Sequence, residues 1–371
     1  MTIGVIFMRI GVMSRPFKTG VTLILAIVLT GLWLFFRPTG DYQTLNCERH
    51  ELEHDGELIV GIEDMAYDQR NGQIYFSAYN RREGKPGGIY RLDAGYHNKT
   101  ITRLSLPQTN TETYWPHGIH LSYQEDQTRL DVIERDLRVK GRQKAQISQY
   151  RWNITEPKDI KLISRIEDDL FCSANNLSFS TSGSKPRDIY ITRDHFSCSS
   201  WQQKMDNVFK PKSSSLLRMR QDAEAKPTVI VKNLSYANGI APHPYSGVYT
   251  SETRKKRVSQ QLRGGKIPRG HSAGNVTLPG GPDNLTVTPQ GDVLAALHPN
   301  LIRFAAFRAG WGPRVKSRFA IISSDKSVNT YDVLADILSG ATVALRVDES
   351  VYLGGAFDEA IAICKLTGIV E

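Results

Sequence analysis

Three features of the sequence predict an all-β chain, a six-bladed β-propeller, preceded by an N-terminal transmembrane or signal-anchor helix. A unit of short apolar strands and polar turns recurs six times; long helical periodicity is nearly absent; and one uninterrupted apolar run lies close to the N-terminus. The 371 residues, 40% hydrophobic and 23% charged, describe a chain that can bury a full core. The formal net charge of +9 bears on association rather than fold, and no nucleic-acid partner is expected.

Taken in chain order, residues 1–40 form a basic segment and anchor, and residues 41–371 form the propeller. The run Val21 to Phe36, "VTLILAIVLTGLWLFF", is bracketed by Lys18 and Arg37. It is slightly short of the ~20 residues that span a bilayer, but flanking cations that snorkel extend it. Arg37-Pro38-Thr39-Gly40 is no small-x-small cleavage site, so an uncleaved anchor is favoured over a removed signal peptide. Arg9, Arg15 and Lys18 before the run argue for an inside N-terminus. The propeller is then membrane-anchored on the exported side, whether extracellular, lumenal or periplasmic.

Cys47 follows the anchor and Cys364 lies near the C-terminus, so a bond between them would close nearly the whole domain into one ring. The chain-entropy model gives such a loop at least ~4 kcal/mol. Cys172 and Cys198 are left either as a second bridge or as buried thiols, and the absence of C-x-x-C spacing argues against a zinc ribbon.

The six units open at residues 61, 117, 175, 237, 282 and 341, from "GIEDMAYDQRNGQIYFSAY" to "ATVALRVDESVYLGGAF", with spacings of 45 to 62 residues. Four short strands per unit make a propeller blade. A strand near Glu57 to Val60 is expected to pair beside the C-terminal strand and close the ring. Helical spacing is read only at Tyr331 to Leu338.

The first strand of each blade would line the axis. At its start stand Glu63-Asp64, His117, Asn175-Asn176, Asn238 and Asp283-Asn284, while the sixth unit offers Thr342. Any one of these is an ordinary turn residue. Their recurrence at one register gathers carboxylate and amide oxygens, the hard ligands calcium takes, at one mouth of the channel.

These residues resemble the paraoxonase (arylesterase) family and, more distantly, the gluconolactonases, over about residues 45 to 371. The carriers are "GIEDMA", "WPHGIH", "SANNLSF", "YITRDHF", "SYANGIAPHP", "GGPDNLTV" and "HPN", in the family's order. The resemblance implies a calcium-dependent hydrolase of lactones or aryl esters and a Cys47–Cys364 disulfide. It implies that Glu63, Asn175, Asn238, Asp283 and Asn284 hold a catalytic calcium, and that Asp64, the Ile119 carbonyl and Asn176 surround a structural one. Two positions depart from the pattern. Asn176 stands where the family has Asp, which weakens the second site by one charge, and Glu134-Arg135 stands where a second histidine would partner His117. Candidates for the base are His117 first and Asp283 second, with His298 close by.

Gly270-His271-Ser272-Ala273-Gly274 matches the G-x-S-x-G of serine hydrolases, but polar residues precede it and "NVTLPGGP" follows, so the strand and helix of a nucleophile elbow are missing. The basic residues Arg254 to Arg257, Arg263, Lys266 and Arg269 are read as a solvated loop. Of six N-x-S/T sequons, at Asn98, Asn153, Asn176, Asn233, Asn275 and Asn284, two fall in the channel, so the count does not argue for glycosylation. The competing reading is a non-catalytic or strictosidine-synthase-like propeller that binds a small molecule or partner on its top face.

Overall fold

A computed structural model describes residues 15–94, 101–138, 141, 143–153, 157–179, 188–209, 212–220, 226–242, 248–261 and 274–366. Two compact units separate at Gly40, Met1–Gly40 and Asp41–Glu371.

In the first unit the apolar run forms helix α1, Arg15–Phe36, with Leu23, Leu25, Leu29, Trp33 and Phe36 exposed. Among the described residues no helix is long and apolar enough to cross a membrane, so the span expected from sequence gains no support there.

The second unit is a six-bladed propeller. Its inner strands are Ile62–Asp68, Trp115–Gln124, Ala174–Phe179, Ala237–Pro242, Gly281–Val287 and Ala341–Val347. Each starts a sheet whose first three strands run outward in chain order through antiparallel neighbours, and each inner strand packs beside the next, the last beside the first. Alternation explains the strands: Ile74, Phe76 and Ala78 on one face, or Leu217 and Met219, are buried between blades. Apolar clusters fill those spaces. Tyr75 and Ile89 of blade 1 meet Tyr150 and Trp152 of blade 2, and Phe76 meets Val343 and Tyr352 of blade 6.

Ring closure differs from the expectation. Cys47–Glu51 supplies the outer strand of blade 6, antiparallel to Ala360–Lys365, with Cys47 directly opposite Cys364 and bonded to it. Glu57–Leu58 instead turns back on Glu53–His54 in a two-residue hairpin. Upstream, Gln43–Thr44 adds in parallel to the edge of blade 5, beside Val328–Val333. Cys172 and Cys198 are also joined, so the buried-thiol option falls away.

The helical spacing at Tyr331 to Leu338 is not a helix, because Tyr331 to Val333 end a strand and a turn follows. Among the described residues the α-helices of this unit are α2, Ser200–Phe209, and α3, Leu301–Arg308. Residues 270–273 of the G-x-S-x-G match, the cations at 263, 266 and 269, and the sequon at 98 lie outside the described residues.

Candidate functional site

Every blade breaks its ladder at the same place. Register shifts fall between Ile62 and Asp64, Ala174 and Leu177, Ala237 and Ile240, Pro282 and Leu285, and Ala341 and Val343, while in blade 2 the shift opposes Pro116 to Ile119. A bulge adds one residue to a strand and re-aims its side chains. Here the added residues are those singled out by recurrence: Glu63, His117, Asn175, Asn238, Asp283 and Thr342. All are buried around the axis.

The strands crowd closely at this point, which accounts for two glycines. A Cβ on Gly118 would lie 2.6 Å from the Asn175 carbonyl oxygen, and one on Gly239 would lie 2.5 Å from that of Asp283. Hydroxyl groups on the second strand of one blade then latch the carbonyl of the next. Ser77 Oγ donates to His117 O at 2.5 Å, Ser251 Oγ to Asp283 O at 2.7 Å, and Thr192 Oγ1 to Asn238 O. Thr342 Oγ1 donates to Ile62 O at 2.9 Å, tying blade 6 to blade 1. Sequence reading missed these latches, although "YFSAY", "YITRD" and "YTSET" repeat a hydroxyl near the end of the second strand.

Two carboxylates stand at the mouth. Asp283 Oδ2 accepts from His298 Nε2 at 2.8 Å, and its Oδ1 accepts from the Asn238 amide. Glu63 has its carboxyl raised above the usual range, by burial above all, with Asp283 adding to the rise against the pull of Arg81. Asn175 Oδ1 and Asn238 Oδ1 are buried without a hydrogen-bond partner. This set of two carboxylates and two unengaged amide oxygens fits a hard dication. Asn284 turns otherwise, since its Nδ2 donates to Glu63 O at 2.7 Å and its Oδ1 accepts from Asn176 Nδ2 at 2.9 Å.

The second expected metal position does not fit as well. Asp64 Oδ2 accepts from the Ile119 N–H at 2.9 Å, and Oδ1 from the Met65 N–H at 3.0 Å. Asn176 Oδ1 accepts from Leu177 N–H at 2.7 Å. These oxygens are engaged in the bulge itself, and burial raises the Asp64 carboxyl to about 7, which removes much of the charge a cation needs. Among the described residues no cluster of three His, Cys, Asp or Glu side chains has metal-binding geometry; the amide-rich set above has fewer such groups.

His117 is buried between Glu63 and Arg81. Its Nε2 lies 3.3 Å from Glu63 Oε1, and Arg81 Nη2 is 3.1 Å from Nδ1. A guanidinium only donates, so Nδ1 is the acceptor and Nε2 carries the proton. Burial, followed by the charges of Arg135, Arg81 and Arg308, holds this imidazole well below its usual pKa, and it is neutral. Glu134 turns away from His117: it accepts from Tyr150 Oη at 2.8 Å and from Gln146 Nε2 at 2.6 Å. Arg135 is the one that reaches the mouth, with Nη2 3.1 Å from Ala174 O.

The "HPN" segment works as a unit. Asn300 caps α3 by accepting from the N–H groups of Ile302 and Arg303, and α3 carries Phe304, whose ring stacks on His298 at 3.6 Å and 15°. One turn on, Arg308 faces the Tyr236 hydroxyl, near enough for its charge to act on Glu63 and Asp194. Neither Arg81 nor Arg308 was marked by the sequence pattern. Beside them, Asp194 and His195 pair at 2.8 Å, and the pair holds Asp194 below the usual carboxylate range although burial pushes the other way.

The chain resembles known proteins in family and in fold. The Arylesterase family profile matches residues 75–366. A curated relative, serum paraoxonase/lactonase 3 of Rattus norvegicus, is 24% identical over 298 residues, 76% of this chain and 77% of the rat protein. Among solved structures, a luciferin-regenerating enzyme superposes with a TM-score of 0.52 at 13% identity, covering 87% of this chain and 96% of that one. A gluconolactonase of Xanthomonas campestris gives 0.50 at 14% identity, covering 89% and 99%, and a likeness at these identities bears on the fold alone.

Proposed function

This chain belongs to the arylesterase family, and on that premise we propose that it hydrolyses lactones or carboxylic esters in a calcium-dependent reaction at the propeller mouth. One observation carries the reading. Glu63 and Asp283, with the unpartnered amide oxygens of Asn175 and Asn238, converge in bulges at a single buried mouth. Glu63, Asn175, Asn238 and Asp283 would hold the ion, with Asn284 bracing Glu63. Calcium in that position supplies Lewis acidity to a substrate carbonyl and to its developing oxyanion.

The protein's own part is proton transfer and orientation. Water adds to the carbonyl carbon, and Asp283 takes its proton on the carboxylate that His298 Nε2–H holds through Oδ2 and Asn238 through Oδ1. The C–O bond to the leaving oxygen then breaks, and that oxygen recovers the proton. The acceptor lone pair of His117 is occupied by Arg81, which favours Asp283 as the base and leaves the His117 Nε2–H, 3.3 Å from Glu63 Oε1 and without a hydrogen-bond partner, facing the mouth. Membrane attachment through α1 belongs to the same reading, supported by its exposed apolar side chains. The serum relative supports an exported propeller.

The test is hydrolysis of a panel of lactones and aryl esters by the oxidised full-length chain in mild detergent, with calcium, after chelation and after restoration, beside Asp283→Ala. Activity that follows calcium and is lost in the variant supports the reading. Folded, calcium-loaded protein with no turnover sinks it in favour of a binding propeller. Sedimentation with membranes after alkaline washing tests the attachment.

A further inference from the structure

Three arginines crowd the mouth, and their partners are unequal. Arg81 is satisfied, with Nη2 3.0 Å from Glu63 Oε2. Arg135 has only a distant carboxylate: Asp194 Oδ2 is 3.8 Å from its Nη2, and Asp194 is already held at 2.8 Å by His195. The Arg135 Nε is buried and has no hydrogen-bond partner. Arg308 faces the Tyr236 phenol, and among the described residues no carboxylate lies within ion-pair distance of it. Arg135 is largely buried, with an orphaned Nε and only a carboxylate it shares with His195, which is costly, and a bound anion lowers that cost. Arg308, exposed to solvent at the same mouth, adds a second positive charge. Guanidinium forks suit a planar carboxylate, which they bind through paired hydrogen bonds.

We propose, resting on the hydrolase reading above, that the substrate is itself an anion: a lactone or ester bearing a carboxylate, which Arg135 and Arg308 hold at the channel mouth. The two come from opposite sides of the ring. Arg135 lies at the end of the second strand of blade 2, Gln127–Asp136, and Arg308 ends α3, which joins the second and third strands of blade 5. A carboxylate between them leaves the carbonyl of the same molecule free to face Asp283 and Glu63. Arg135 and Arg308 are then specificity-determining residues, and Arg135 does work that a histidine could not do at neutral pH, since an arginine keeps its charge.

The experiment separates binding from turnover. The full-length chain in mild detergent with calcium is titrated calorimetrically with 3-oxocyclopentanecarboxylate, which has no ester or lactone bond, and with the neutral 3-oxocyclopentanecarboxamide. Turnover is measured on the matching carboxylated lactone and its neutral carboxamide. The expected result is a preference for the anion on the order of tenfold or more in binding and in kcat/KM. Arg308→Gln and Arg135→Gln each reduce it, Arg308→Lys retains most of it, and a melting temperature within a few degrees of wild type in all three is the control for folding. Equal or weaker binding of the anion by the wild-type chain, or a preference that survives both glutamine variants, overturns the proposal. An anion preference in binding with neither lactone turned over upholds the anion site and removes the hydrolase reading.

Discussion

His298 Nε2 lies 2.8 Å from Asp283 Oδ2, and the other face of the relationship is the Phe304 ring stacked 3.6 Å from the imidazole. The carboxylate is therefore aimed by a histidine that a capped helix holds in place. Partners that orient a reactive or ligating carboxylate typically matter by about 10- to 100-fold in activity. His298→Ala is expected to lose that much in kcat/KM on the best lactone while keeping its melting temperature within a few degrees. Phe304→Leu should fall between the variant and wild type. Full activity in His298→Ala would mean that Asp283 is oriented without it.

Arg81 opposes any cation at Glu63, because its guanidinium already occupies the space 3.0 Å from Oε2. Removing that charge should tighten calcium binding by roughly tenfold, given the strength of charge interactions at such separations in a partly buried site. Arg81→Gln, titrated with calcium by calorimetry, is expected to show this gain even if its calcium-free form is less stable. Unchanged or weaker binding would place calcium away from Glu63.

How much of this was legible in sequence follows from what repeats. Glu63, Asn175, Asn238 and Asp283 stand at one register in successive units, so recurrence alone brought them together. Arg81 and Arg308 were illegible because neither belongs to the repeating part: one lies in the turn after a second strand and the other on a helix inserted between the second and third strands of blade 5. The closing strand was misplaced for a related reason. "CERHE" alternates buried and exposed positions only weakly in its polarity, so Cys47–Glu51 carries little strand signal, and its partner and disulfide decide its conformation. Glu134 and Arg135 could not be told apart as the inward residue, since both are polar and both find partners, Glu134 in Tyr150 and Gln146 and Arg135 in the Ala174 carbonyl at the mouth.

Asn176 bears directly on metal stoichiometry. With its Nδ2 donating to Asn284 and its Oδ1 accepting from Leu177, it offers no free oxygen beside Asp64. Asn176→Asp replaces the donor with a charge. We expect one calcium per wild-type chain and two in the variant, counted by elemental analysis after dialysis. Two ions in the wild type would refute this account of the bulge.

The Cys47–Cys364 bond spans 317 positions and joins the two ends of the propeller within one sheet. Chain entropy assigns such a cross-link as much as about 4 to 5 kcal/mol. The double variant Cys47→Ser/Cys364→Ser should melt roughly 10 °C lower than wild type under oxidising conditions. A change of one or two degrees would show that strand pairing alone closes the ring.

Glu252 gives the acid limb of stability. Its side chain is fully buried at the end of a blade 4 strand, where it accepts from Arg257 Nε at 2.6 Å, from Ser259 Oγ at 3.0 Å and from the Ser235 N–H at 3.0 Å. Burial alone would raise this carboxyl, but the Arg257, Ser259 and Ser235 bonds outweigh it and hold the group below the usual range. A carboxyl lowered in the folded state stabilises fully above its unfolded value, near pH ~4.3, and that contribution is lost as pH falls through the folded value. Glu252→Gln should therefore be less stable than wild type at pH 7 by about 1 to 3 kcal/mol. The gap should narrow as the pH drops below ~4, where the wild-type carboxyl is protonated and resembles the amide. Denaturant melts of both proteins across that range decide it, and a gap that stays constant from pH 7 to pH 3 would show that Glu252 stabilises through packing rather than charge.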